Sequence, residues 1–517
     1  MSSTGIGHRA SGIGRIYALV FGLLLSGLLV PAALAQHETR YAPGKIIVRF
    51  DPQGEIEPRV MVDVVATLVG GEVGFFDEEF VPGFAVLRVE DGREQELIQR
   101  IEGLPGLLYA VRDAMAELAA QPTSEPWFSQ QWQFQNTGQI VNQHSGEAGL
   151  PGSDICSVPG WAIQSDAYST IVAVLDTGVN YFYSDLAANM WINPLDPPNG
   201  LDDDVNGYVD DTYGIRINGC DAVYPSGDPF ETTSPAPHDP TYPGHHGTAV
   251  AGFVGQVGTN GVLGTGAAPT ARIMALAGND CDAFNLICGG ISESTVIIGF
   301  KYAWLHGAKI VNCSWGFYSH DPALYDAFSY ADVHGLLTVV CAHNHSADID
   351  NYTLPPTQGM YPARYKFASM LVVGASDQCN RRSIWCPNPP PAPCSGLDGS
   401  NWGKVSVDIF APGSHLRSFD GNSECRTYNI TASPSYCGGT SFAAPLVSGT
   451  AALVWSLHPT WTALDVKKQI VTTATPIPCL TNLCVSGGIL NAAAALGGAC
   501  THGGTCCPIP TGACCNP

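Results

Sequence analysis

Asp176, His246 and Ser441 are three side chains of the kinds that pass a proton among themselves, and each sits in a distinctive stretch. Asp176 closes the apolar run Val172-Ala-Val-Leu-Asp-Thr-Gly178. A carboxylate at the end of such a run, beside a glycine turn, is placed to face the crevice at a strand's carboxyl end. A structural Asp capping a turn fits the same spacing. His246 lies in Gly244-His-His-Gly-Thr-Ala-Val-Ala-Gly252, where the small residues suit a tightly packed helix with His246 at its start. Such a position disfavours imidazolium and leaves a neutral base. His245 competes for that role, and a surface His pair is the plain alternative. Ser441 lies in Cys437-Gly-Gly-Thr-Ser-Phe-Ala-Ala-Pro-Leu-Val-Ser-Gly449, in which Ala443 and Ala444 allow close packing and Pro445 suits a first helical turn. At a helix start the Ser441 N–H is free and the dipole favours a developing oxyanion. A plain Ser N-cap satisfies this pattern equally. Asp-Thr-Gly also marks aspartic proteases, but those need two carboxylates sharing a proton, and the sequence has no second Asp-Thr-Gly or Asp-Ser-Gly.

A second constellation is Asp202-Asp-Asp-Val-Asn-Gly-Tyr-Val-Asp-Asp211. Oxygens at Asp202, Asp204, Asn206 and Asp210, a turn at Gly207 and the Tyr208 carbonyl match the start of an EF-hand-type calcium loop. The twelfth position is Tyr213 rather than Glu, so the loop is not a full EF-hand. Carboxylates this close repel one another without a cation. A structural Ca2+ is therefore expected, with an acidic solvated turn as the alternative.

The elements that must hold these residues are legible in part. Residues 36–122 form a first unit with strands over 45–50, 84–89 and 107–111 and helices over 58–70 and 93–102, a small α+β domain. From 123 to 496 short β-branched runs alternate with amphipathic segments. The runs are 170–175, 272–276, 309–312, 336–340 and 370–373, with helices predicted over 292–306 and 323–334. The runs are unbroken rather than alternating, as strands buried on both faces should be. The expected fold class is α/β, a parallel sheet flanked by helices. The last stretch, 497–517, holds five cysteines in 21 residues and little that can form a core.

The chain's 517 residues are 45% apolar but only 13% charged, with 58 Gly and 38 Pro. Acids exceed bases 46 to 23, a net charge of −23 that argues against nucleic acid as a partner. Residues 1–35 read as a secretory signal: Arg9 and Arg15, then the apolar stretch Ile16–Val30, then Ala33-Leu-Ala35. That stretch is short for a membrane span of about 20 residues. The expected product is secreted, with no membrane partner once the signal is cleaved. Its 18 cysteines then read largely as disulfides. Cys281/Cys288, Cys425/Cys437 and Cys479/Cys484 are local pairs by spacing, whereas Cys313 and Cys341 lie in apolar runs and read as core thiols.

Taken together the motifs resemble the subtilisin-like serine protease family. Asp-Thr-Gly at 176, His-Gly-Thr at 246 and Gly-Thr-Ser-x-Ala-Ala-Pro at 439 follow the family's order. Val311-Asn-Cys-Ser-Trp-Gly316 resembles the substrate-binding strand, Asn344 the oxyanion-hole Asn, and Ser486-Gly-Gly-Ile-Leu-Asn-Ala-Ala493 the usual domain end. The resemblance covers about 370 residues, and 36–122 resembles, more weakly, the family's inhibitory propeptide. It implies a serine endopeptidase working through an acyl-enzyme and made as a zymogen. Ser441 would be nucleophile, His246 base, Asp176 its orienting partner and Asn344 an oxyanion donor. Ser314, Trp315 and Gly316 would pair with the backbone of a protein or peptide substrate, Gly316 leaving room for a side chain. The chain's own propeptide would be an intramolecular inhibitor, and a monomer is expected. One departure stands out: His343 replaces the usual Gly before the oxyanion Asn, where it would line or narrow the specificity pocket or alter the backbone that aims Asn344. With Cys341 and His345 it also suggests a metal, an alternative that the oxyanion reading of Asn344 makes unnecessary. An inactive binding protein on the same fold, and a Ser-Glu-Asp sedolisin arrangement, are the competing functional classes.

Overall fold

The computed structural model describes residues 41–79, 81–114, 122–142, 147–217, 227–229, 246–281, 288–351, 358–385, 399–418, 438–500, 503 and 505–507. The signal-like stretch, His245, Cys425 and Cys437 lie outside them. The chain divides into two compact units, Met1–Ala119 and Ala120–Pro517.

In the first unit four antiparallel strands, β1 (Tyr41–Phe50), β2 (Glu72–Asp77), β3 (Phe84–Arg88) and β4 (Leu107–Ala114), stand in the order β2-β3-β1-β4. Helices α1 (Pro58–Val69) and α2 (Glu94–Ile101) pack on one face. Alternation in β1 decides that face: Ile46, Val48 and Phe50 point into the core with Val62, Val65, Leu87 and Ile101. Pro58 opens α1 and Gly70, at φ 67°, closes it in the left-handed conformation that glycine favours. Strand β2 was not foreseen. Gly74 interrupts its pattern, and the register shifts between Val73 and Phe75.

The second unit is built on a nine-stranded sheet. Its strands are β5 (Ile171–Asp176), β6 (Gly214–Arg216), β7 (Arg272–Ala277), β8 (Ile310–Cys313), β9 (Leu337–Cys341), β10 (Met370–Ser376), β11 (Ile409–Pro412), β12 (Thr475–Pro476) and β13 (Gly488–Ile489). They stand in the order β12-β13-β11-β10-β9-β8-β5-β7-β6, all parallel except the edge pair β12–β13. Each central strand is buried along its whole length, and its residues alternate between two cores. Val172, Val174, Ile273, Ile310 and Val339 meet helices α3 (His246–Gly255) and α6 (Thr440–Leu457) on one face. Ala173, Leu175, Met274, Val311 and Val340 meet α4 (Glu293–Leu305) and α5 (Pro322–Val333) on the other. The unbroken apolar runs follow from this double coverage. Ser292 and Asp321 cap α4 and α5 by accepting from the Thr295 and Ala323 amides. Helix α7 (Ala463–Thr472) carries a capping box of Thr462 and Asp465.

The order of the strands places the chemistry. After β5 the chain forms the edge strand β6 and then β7, between β6 and β5, on one side, and next β8, β9 and β10 in turn on the other. The carboxyl end of β5 is thus a switch point, the place where open parallel sheets present a crevice. Among the described residues α6 alone is long and apolar enough to cross a membrane, but 89% of it is buried inside the protein as a core helix.

Candidate active site

Asp176 is the last residue of β5 and is buried. His246 is the first residue of α3. Gly247 lets α3 approach the strand end, because a Cβ there would stand 2.2 Å from the Gly178 carbonyl oxygen and 3.1 Å from Asp176 Cβ. The Gly247 amide also donates to Thr177 Oγ1 at 2.8 Å. His246 Nδ1 lies 2.7 Å from Asp176 Oδ1, which also accepts the Thr177 amide at 2.8 Å. With Nδ1–H given to the carboxylate, Nε2 carries the lone pair and is the ring's basic atom. The imidazole packs on the Phe442 ring, centroids 5.3 Å apart, and so lies beside the residue that follows Ser441.

Ser441 is the second residue of α6. Pro445 sits in the second turn rather than the first, and this has a consequence the sequence reading missed. A proline at 445 has no N–H to give to the Ser441 carbonyl, four residues back. That carbonyl accepts instead from Ser314 Oγ at 2.7 Å. In return Ser441 Oγ donates to the Ser314 carbonyl at 3.2 Å. The donation continues inward: Asn312 Nδ2 donates to Ser314 Oγ at 2.9 Å, and Ser448 Oγ donates to Asn312 Oδ1 at 2.8 Å. Asn312 and Ser448 are fully buried members of this site that sequence reasoning passed over. The available signal was an amide in the apolar run of β8.

Asn344 follows β9. Its Oδ1 accepts from the Thr440 amide at 3.0 Å and from Thr440 Oγ1 at 2.8 Å. Both are donors, so the oxygen is fixed on that side and Nδ2 is turned the other way. Gly439 shows where it points. A Cβ on Gly439 would stand 3.6 Å from Asn344 Nδ2 and 3.7 Å from Ser441 N. Two N–H donors therefore flank one small space beside Gly439. The residue's φ of 148° lies in the range that suits glycine. Such a space can hold an oxyanion.

The family profile of the subtilases, Peptidase S8, matches residues 168–495. The chain belongs to the subtilase family. Fervidolysin of Fervidobacterium pennivorans is 25% identical over 477 residues, which is 89% of this chain and 57% of fervidolysin. Subtilisin Savinase of Lederbergia lenta is 32% identical over 251 residues, 48% of this chain and 77% of that relative. The chain thus spans little more than half the length of fervidolysin. Among solved structures, a protease of Pseudoalteromonas arctica PAMC 21717 shares the fold, with a TM-score of 0.51, 21% identity, and coverage of 72% of this chain and 98% of that one.

Other features of this subtilase lie around the same cleft or away from it. The Cys341-His343-His345 set does not converge: Cys341 Sγ is directed to the Trp315 carbonyl, His343 Nε2 to the Tyr361 carbonyl and His345 Nε2 to the Tyr318 hydroxyl. Burial pushes the Cys341 thiol up to about 11 and raises that of Cys313 well above its usual range, so both stay protonated core thiols. His343 sits at φ 69°, yet Asn344 keeps both bonds to Thr440.

In the acidic loop, Asp202 takes the Asn206 and Gly207 amides, and Asp204 Oδ1 also takes the Asn206 amide. Asp210 takes the Asn199 and Gly200 amides. The Tyr208 amide donates to Asn206 Oδ1. Donor atoms of Asp204, Asp211 and His306 lie within 4.8 Å of one another, a grouping the sequence did not suggest because His306 comes from the end of α4.

Among the described residues three disulfides form, Cys156–Cys500, Cys379–Cys507 and Cys479–Cys506. The expected local pair Cys479/Cys484 does not form: Cys484 is a buried free thiol beside Ser486 and the Gly488 carbonyl.

Proposed function

We propose that this subtilase is a serine endopeptidase that cleaves peptide bonds through Asp176, His246 and Ser441. The carrying observation is the Asp176–His246 contact of 2.7 Å at the sheet's switch point, beside a helix start with two N–H donors around one space. His246 Nε2 accepts the Ser441 Oγ proton as Oγ attacks the carbonyl carbon. The new oxyanion is held by Asn344 Nδ2–H and the Ser441 N–H. On collapse His246 returns the proton to the leaving amine, and an acyl-enzyme ester remains on Ser441. Water, deprotonated by His246, then frees the acid. Asp176 orients the ring and stabilises its charged form throughout. A protein or peptide substrate lies along Ser314-Trp315-Gly316 as an added strand.

The same reading makes the chain a secreted zymogen. Residues 1–35 direct export, 36–122 act as propeptide and intramolecular inhibitor, 123–496 form the catalytic domain, and 497–517 are a Cys-rich tail. Three disulfides suit an oxidising compartment. The acidic balance leaves no basic footprint for nucleic acid. A structural Ca2+ fits the chemistry of the loop, since Asp202, Asp204, Asn206, the Tyr208 carbonyl and Asp210 supply hard oxygen donors. These residues would hold the ion, which would supply positive charge among crowded carboxylates.

Ser441→Ala should abolish proteolysis and leave residues 36–122 attached. A serine-directed covalent probe should label the native mature protein at Ser441 alone. Normal processing in the variant sinks the self-cleavage claim, and an unlabelled native protein makes the chain a binding module.

A further inference from the structure

We infer that His343 is a specificity-determining residue that fills the pocket beside Gly316. On this inference the enzyme cleaves after glycine, alanine or serine and rejects aromatic and long aliphatic side chains. The inference rests on the peptidase reading above and narrows its substrate class.

Gly316 stands two residues beyond Ser314, whose carbonyl accepts the Ser441 hydroxyl. A peptide paired with 314–316 directs alternate side chains toward the protein. With its carbonyl at the space beside Gly439, the residue before the scissile bond meets the gap between 314–316 and 342–344. Gly316 contributes no side chain to that gap, but the space is already taken. A Cβ on Gly316 would stand 1.9 Å from His343 Nε2 and 2.0 Å from its Cε1, so the imidazole lies directly over the glycine.

The ring is held there. It is 7% exposed, its Nε2–H donates to the Tyr361 carbonyl at 3.2 Å, and the Tyr318 ring meets it at 6.0 Å between centroids. Its backbone φ of 69° is one that glycine adopts freely and histidine rarely does. A bulky side chain entering the gap would have to expel a buried, hydrogen-bonded ring. Burial lowers the imidazole to about 4, so at neutral pH it is uncharged and offers no attraction to acidic side chains either.

The test is a set of peptides identical except before the scissile bond, carrying Gly, Ala, Ser, Leu or Phe, measured as kcat/KM. The mature enzyme should favour Ala over Phe by about tenfold or more. His343→Gly should move that ratio toward Phe by a similar factor. Taking the ratio within one protein cancels any general loss of activity, and the native profile decides alone if the variant does not fold. Equal cleavage after Phe and Ala by native enzyme, or an unchanged ratio in a folded His343→Gly protein, overturns the inference. Covalent labelling of Ser441 separates the failures: labelled protein that prefers Phe loses only the pocket claim, and unlabelled protein loses the peptidase reading as well.

Discussion

Ser441 is placed by a missing hydrogen bond. Pro445 withholds an amide from the Ser441 carbonyl, and Ser314 takes its place through a buried series of donors that ends at Ser448. Asn344 is fixed by the same logic of donors and acceptors, since Thr440 claims its oxygen and leaves its nitrogen for the space beside Gly439. If that space holds the oxyanion, as proposed, removing the nitrogen removes one of its two donors. Asn344→Ala should therefore lower kcat by about 10²–10³ with little change in KM. Single-turnover acylation of a peptide ester would measure it, and a loss confined to KM would remove Asn344 from the oxyanion role. At this scale Asp176, His246 and Ser441 stood out because each sits in a short motif, and the structure brings Asp176 and His246 into contact. Asn312 and Ser448 were not, because a buried Asn or Ser shows its purpose only when its partner, 136 residues distant, is known.

Elements were legible where burial is symmetric. The runs that became β5, β7, β8, β9 and β10 are apolar on both faces, and helices on both sides explain why. Strand β2 escaped notice because glycine and a register shift break its pattern. The acidic loop was read in sequence order, yet the structure joins Asp204 and Asp211 to His306, a residue from the end of another element. Its backbone is tightly wound: Val205 and Asp210 have φ of 58° and 55°, and Gly207 has 95°. Asp202 and Asp210 gather backbone amides, so their charges are spread over local N–H groups before any cation is considered. Asp204 and Asp211 in turn meet His306, Asn193, Asn206 and Tyr302, yet the carboxylates still crowd one another. Chelation should lower the melting temperature of the mature protein, and added Ca2+ should restore it, since an ion that binds only the folded state stabilises it by mass action. Asp204→Asn should shrink that shift. A melting curve indifferent to chelator would leave the loop as a hydrogen-bonded turn without a metal.

Across the second unit, Asp carries most of the negative charge, and the cysteines include free thiols at the ends of β8 and β9 and bridged ones in the tail. After residue 120 the chain has 30 acids, of which 25 are Asp and five Glu, the composition of turns more than of helix surfaces. The described part of the tail is tied to three separate places in the second unit, through Cys156, Cys379 and Cys479. Asn380 adds to this by donating to the carbonyls of Gly503 and Thr505. Spacing could not reveal these ties, because partners 344 and 128 residues apart carry no local signature. Their effect should be global. A bridge over so long a span restricts the unfolded chain strongly, and losing a native disulfide typically costs about 2–5 kcal/mol. Cys156 lies at the start of the short helix Ser157–Trp161, which packs against Ala492–Ala495, and none of these residues contributes to the hydrogen bonds around Asp176, Asn344 or Ser441 described above. Replacing Cys156 and Cys500 together with serine should therefore lower the thermal and denaturant midpoints of the mature protein. Its kcat/KM at 25 °C should stay near that of the native enzyme. An equal fall in activity at 25 °C, with the melting temperature unmoved, would mean that the tail shapes the cleft rather than the stability of the fold.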